Sequence, residues 1–151
     1  MIKKLLLLIL FLGSISFQAQ NVWRTTIDDA IKASNEQRKP MLIFFTALGV
    51  PNNLQNEVFN TPDFVIWSRD NVILVKLDLS DNNNVADYDK EQNLKLKNAF
   101  GVQELPQVCF AKASIRKSKT TFQALGKSGY KPGGVRAWIS ESDAILNPSE
   151  E

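Results

Sequence analysis

The segment MLIFFTA at 41–47 restricts the fold more than any other part of the chain. It is an uncharged run of apolar, aromatic and β-branched residues, entered from Pro40 and left through the turn formers Gly49, Pro51 and Asn52. Such a run reads as a central strand, 41–46, buried on both faces of a sheet. A strand of that kind needs cover above and below, so its flanks must supply helices. They do. Thr26 with Asp29 three residues on resembles a capping box, and Ile27, Ala30, Ile31 and Ser34 recur at helical spacing until Lys39-Pro40 stops them. This predicts a helix over about 27–37.

The same alternation continues down the chain. In the stretch 52–71, Leu54, Val58, Phe59, Phe64, Val65 and Trp67 carry a helical pattern that bends or restarts at Pro62. NVILVKLDL is a second buried strand. A polar loop, DNNNVADYD at 81–89, leads to a short helix in EQNLKLKNAFGV that Gly101 ends. LPQVCFA is a third strand and TTFQALG a fourth. SGYKPGGVRAWISESDAIL closes as a helix with Pro132 near its start and Val135, Trp138, Ile139 and Ile145 on one face. Helix, strand, helix, strand, helix, strand, strand, helix specifies an α/β domain with helices on both faces of the sheet. There are no repeats and no internal linker, so residues 21–151 form one domain.

The first twenty residues have a separate purpose. Lys3-Lys4, the apolar run Leu5–Leu12 and a small or polar end at Ala19-Gln20 have the layout of a secretory signal peptide. The run is too short to cross a bilayer, so no membrane anchor is expected after cleavage at Gln18 or Ala19. No cysteine lies at the junction to carry a lipid. The Ala19-Gln20 ending resembles export signals of Bacteroidetes-type bacteria, whose two membranes make the periplasm the expected location, with secretion beyond it as the alternative. Removing Lys3 and Lys4 also removes the whole excess of positive charge, leaving 16 basic against 16 acidic residues. Nucleic acid is therefore not an expected partner, and no Lys/Arg cluster with interleaved aromatics appears.

Composition closes several reaction classes. With no histidine, Ser-His-Asp and Cys-His nucleophile schemes and most zinc sites cannot be built. With Cys109 alone, no intramolecular disulfide can form. Asp78, Asp81, Asp87 and Asp89 with three asparagines collect oxygen donors, but without the alternation and glycine of a calcium loop they read as a solvated loop. No metal and no cofactor are expected. Trp23, Trp67 and Trp138 read as core or half-buried anchors.

Several strings, in order, resemble exported bacterial proteins of the thioredoxin-like family. KPMLIFFTA resembles the strand leading into their active-site helix, LQNEVF the helix after their Cys-x-x-Cys, and NVILVKLDL their next strand. FGVQELPQVCF looks like the segment that carries their cis-proline, and Gly129-Tyr130 the step before their last helix. The likeness spans Trp23 to Ile145. It implies a thioredoxin-like fold, with a central mixed sheet and helices on both faces.

The departure lies where that family does its chemistry. There a pair of thiols sits at the helix N-terminus, which lowers the pKa of the first so that its thiolate can attack a disulfide. Here the junction reads Leu48-Gly49-Val50-Pro51-Asn52-Asn53. Counting back from LQNEVF puts the two positions at Leu48 and Pro51, and counting forward from FFTA puts them at Val50 and Asn53. Neither register holds a thiol. The resemblance further implies that Pro106 is cis and that Leu105 offers its main chain to a bound peptide, so a protein or peptide partner is expected at Leu105-Pro106 and the 48–53 loop. Cys109, with Gln107 on one side of its strand against Val108 and Phe110 on the other, reads as a core residue. The alternative is thiol chemistry through Cys109 alone, or with a partner that brings the thiols.

Overall fold

The structure is a computed structural model that describes residues 22–82 and 84–150. The leader read over 1–20 lies outside the described residues. Five strands form one mixed sheet in the order β1-β3-β2-β4-β5: β1 Trp23–Arg24, β2 Met41–Thr46, β3 Ile73–Asp78, β4 Gln107–Arg116 and β5 Lys119–Ser128. β1, β3 and β2 run parallel, whereas β4 is antiparallel to β2 and β5 to β4.

The helices are α1 Ile27–Gln37, a π-helix Gln55–Phe59, α2 Pro62–Asn71, α3 Asp87–Ala99 and α4 Gly134–Leu146. Thr26 caps α1 by accepting from the Asp29 N–H at 3.3 Å. Beyond its C-terminus Arg38 takes up a left-handed conformation. Asn60 N–H reaches back five residues to the Gln55 carbonyl at 2.9 Å, and this π register is where the expected bend falls. Thr61 then caps α2, accepting from Phe64 N–H, with Pro62 in the first turn, where its missing N–H costs nothing.

Because side chains alternate along a strand, β2 splits its residues between two cores. Met41, Ile43 and Phe45 face α1 and α3 together with Val75, Leu77, Cys109 and Ala111. Leu42 and Phe44 face the π-helix, α2 and α4 together with Leu74, Val108 and Phe110. All six residues of β2 are buried, as a strand covered on both faces must be.

Three expectations need correction. α3 begins at Asp87, inside the stretch read as loop, since Asp87 and Asp89 occupy its first turn and favour the positive end of the helix dipole. α4 begins at Gly134, so Pro132 precedes the helix. β4 and β5 are longer than LPQVCFA and TTFQALG. They continue to a tight turn at Lys117-Ser118, both at positive φ. β2 pairs with β4 only across Gln107–Ala111, so the outer halves of β4 and β5 leave the sheet as a two-stranded ribbon.

Candidate functional site

β2 ends at Thr46, and the chain becomes helical again at Asn53. The six residues 47–52 between them turn at Leu48 and Gly49, whose φ of 80° suits a residue without a Cβ. Two hydrogen bonds fasten this loop to the end of β3: Leu79 N–H donates to the Thr46 carbonyl at 2.8 Å, and Leu48 N–H donates to the buried Ser80 hydroxyl at 2.6 Å. Ser80 is itself oriented by its own N–H on the Asp78 carboxylate at 2.8 Å. Ser80 escaped the sequence reading, although Asp78 two residues before it is the usual signal of an Asx turn. At the helix end, the Asn52 carbonyl accepts from Asn56 N–H at 3.0 Å.

The loop, the Leu105-Pro106 segment and the Gly129-Tyr130 step converge on one groove of about 400 Å³. Pro51, Asn53 and Leu54 form one wall, Glu104, Leu105, Pro106 and Gln107 the second, and Gly129 with Tyr130 the third. The Leu105–Pro106 peptide bond is cis. Among the described residues, the N–H and C=O of Leu105 have no hydrogen-bond partner, because the β4 ladder begins only at Gln107. Gln107 closes the groove's floor, its side-chain amide donating to the Ser128 carbonyl at 3.0 Å.

Of the residues read as the remnant of a thiol pair, Pro51 and Asn53 line the groove, and Leu48, Gly49, Val50 and Asn52 do not. Leu48 is 76% exposed on the turn outside it. Tyr130 sits at the rim, and a hydrogen bond to the Glu57 carboxylate, more than burial, holds its phenol above the ordinary range. Asn53 joins the same cluster, its amide donating to Glu57 at 3.3 Å. Glu57 and Glu104 escaped the sequence reading, since nothing in their spacing sets them apart from other surface carboxylates.

Cys109 is not part of this groove. It lies in the α1-facing core, 1% exposed, opposite Ile43 on β2. Burial pushes its thiol up to about 11, with only partial relief from the Lys127 ammonium. An inaccessible thiol held in its protonated form is the reverse of what nucleophilic sulfur chemistry needs. Among the described residues, no group of three or more Cys, Asp or Glu side chains could hold a metal ion. Nor is any helix among them long and apolar enough to cross a membrane.

No family model matches the chain. It is similar to the "Disulfide bond reductase DsbH" of Chlamydia pneumoniae, 22% identical over 131 residues that cover 85% of this chain and 75% of that protein. It is also similar to the "Thioredoxin-related protein DsbJ" of Chlamydia pneumoniae, 25% identical over 128 residues, and spans only 37% of that longer protein. Among solved structures, one described as "DsbH Oxidoreductase" superposes with a TM-score of 0.73 at 20% identity, covering 90% of this chain and 92% of its own. A thioredoxin from Thermus thermophilus superposes at 0.61 with 10% identity, covering 85% and 89%. The chain has the thioredoxin-like fold, and its relatives include Dsb proteins of Chlamydia.

Proposed function

We propose that this chain is an exported binding module of thioredoxin-like fold, inactive in dithiol exchange, which holds an extended protein or peptide segment in the groove at Leu105-Pro106. The observation that carries the reading is the unpaired main chain of Leu105 on the wall of an open groove. An extended segment can add to such an edge through main-chain hydrogen bonds, with affinity that does not depend on any reaction. The names of the relatives point to disulfide chemistry, but that chemistry needs an attacking and a resolving thiol. In this chain the helix N-terminus has neither, and the one thiol is buried in the α1-facing core. The leader read over 1–20 supports export.

The test is capture of a reduced, unfolded polypeptide by the mature chain, compared with two variants. Leu105→Pro removes the donor N–H, and Tyr130→Ala opens the rim without touching the backbone of the groove. Each should weaken capture at least about tenfold, the equivalent of one to two main-chain hydrogen bonds. Equal capture by the parent and by both variants sinks the groove as the site. Insulin reduction by the parent in dithiothreitol above the uncatalysed rate sinks the redox-inactive half of the reading.

A further inference from the structure

Charge along this chain is segregated. The 36 residues from Leu105 to Ser140 contain seven Lys and Arg and no Asp or Glu, in a chain whose 16 basic and 16 acidic residues after the leader balance. Three of the seven are engaged: Lys127 donates to the Gly101 carbonyl, Lys131 pairs with Glu141 and Arg136 with Asp63. The other four, Lys112, Arg116, Lys117 and Lys119, have no ion pair among the described residues, and all four lie on the ribbon formed by the outer halves of β4 and β5.

The register shows how they are presented. Lys112 is opposite Gln123, Ser114 opposite Thr121 and Arg116 opposite Lys119. Residues directly across a ladder, and residues two apart along a strand, share a face. One face of the ribbon therefore carries Lys112, Arg116 and Lys119 with the uncharged polar Ser114, Thr121 and Gln123 between them, and each of these residues is exposed. The opposite face carries Ala113 and Phe122, which pack on the α1-facing core and so fix which way the cations point. The ribbon also leaves the sheet at the end opposite the groove, since Ala111 pairs with the first residue of β2 while Gln107 pairs near its last.

We propose that this ribbon is a docking surface for an anionic phospholipid membrane, which orients the protein with its groove facing away from the bilayer. The unpaired cations attract the negative surface potential of such a membrane at a scale that adds cation by cation. The exposed face, with Ser114 and Thr121 between the cations, meets headgroup phosphates without needing a concave pocket. Ile115, on the opposite face with Ala113 and Phe122, lies over α1 and takes no part in the docking face. Single-stranded nucleic acid fits the same face less well, because the exposed side offers no aromatic ring for a base to stack on: Phe122, the ribbon's one ring, faces the core.

The experiment is flotation of the chain from Val22 onward, which contains the strands, helices and both cores found among the described residues, with vesicles of phosphatidylglycerol and phosphatidylcholine or of phosphatidylcholine alone. Binding to the anionic vesicles at low ionic strength is expected to fall as salt rises, and binding to neutral vesicles should be absent. Each cation changed to glutamine should lower the partition coefficient about fivefold. Lys112→Gln, Arg116→Gln, Lys117→Gln and Lys119→Gln together should therefore abolish it, and Leu105→Pro should leave it unchanged. Equal binding by the quadruple variant, equal binding to neutral vesicles, or capture of a soluble polyanion such as duplex DNA with no vesicle binding would each overturn the proposal. Peptide capture by the quadruple variant should match the parent, so the two proposals can fail separately.

Discussion

At pH 8, a thiol pushed up to about 11 is ionised to about one part in a thousand. Cys109 should thus resist a disulfide reagent in the native protein and label rapidly once denatured, which a two-step thiol titration measures directly. The same shift has a stability consequence. The folded state holds the proton to about 11, against an ordinary value of 9.0. The contribution is therefore complete below pH 9 and is lost as pH rises toward 11, on the order of 2 kcal/mol in all. Urea unfolding at pH 8 and pH 10.5 should show that loss in the parent and not in Cys109→Ala; an equal fall in unfolding free energy in the two proteins would contradict it. The position of this residue was legible from sequence because it alternates with Val108 and Phe110 on a strand whose neighbours demand burial on both sides. The 47–52 loop was not, because counting from LQNEVF and counting from FFTA put the two thiol positions in different registers that fit equally well.

Among the elements, the β4–β5 hairpin departs furthest from what its sequence signals. Lys117 and Ser118 occupy its two central turn positions at φ 48° and 61°, a conformation that asparagine and glycine adopt with far less strain than lysine and serine. The double substitution Lys117→Asn, Ser118→Gly should accordingly stabilise the protein by about 1 kcal/mol, read as a higher urea midpoint at unchanged slope. An unchanged or lower midpoint would mean that the turn is held by more than local preference. This hairpin was read short because the Asn-Gly or Asp-Gly signal is absent and the alternation in KASIRKSK rests on only two apolar residues, Ala113 and Ile115, among four cations. α1 and β2 were legible for the opposite reason: Thr26 caps the one and Pro40 opens onto the other, so local preference and burial agree. The restart at Pro62 was equally visible, but the π register of Gln55–Phe59 was not, since a reach of five residues instead of four leaves no compositional mark.

The molecule as a whole is joined by aromatic packing on its α4-facing side. Trp138 on α4 meets Phe59 of the π-helix, Phe64 and Trp67 of α2 and Phe110 of β4, with ring centroids 5.7 to 6.2 Å apart. One side chain thereby couples four elements, and its removal should be felt by all of them. Trp138 is 3% exposed, yet its indole N–H has no hydrogen-bond partner among the described residues. Trp67 differs in this respect, donating to the Asp143 carboxylate at 2.7 Å. Trp138→Ala should cost about 3–5 kcal/mol, as a large cavity opens where four elements meet. Trp138→Phe keeps most of the ring contact and removes a buried polar group that carries a desolvation cost, so its loss should stay below about 1.5 kcal/mol. Trp67→Phe surrenders a hydrogen bond to a charged group and should cost more than Trp138→Phe, by about 1–2 kcal/mol. Chemical denaturation of the three variants orders these terms. Should Trp138→Phe prove as damaging as Trp138→Ala, the joint depends on the indole's shape, and the unpaired N–H is a minor cost beside it.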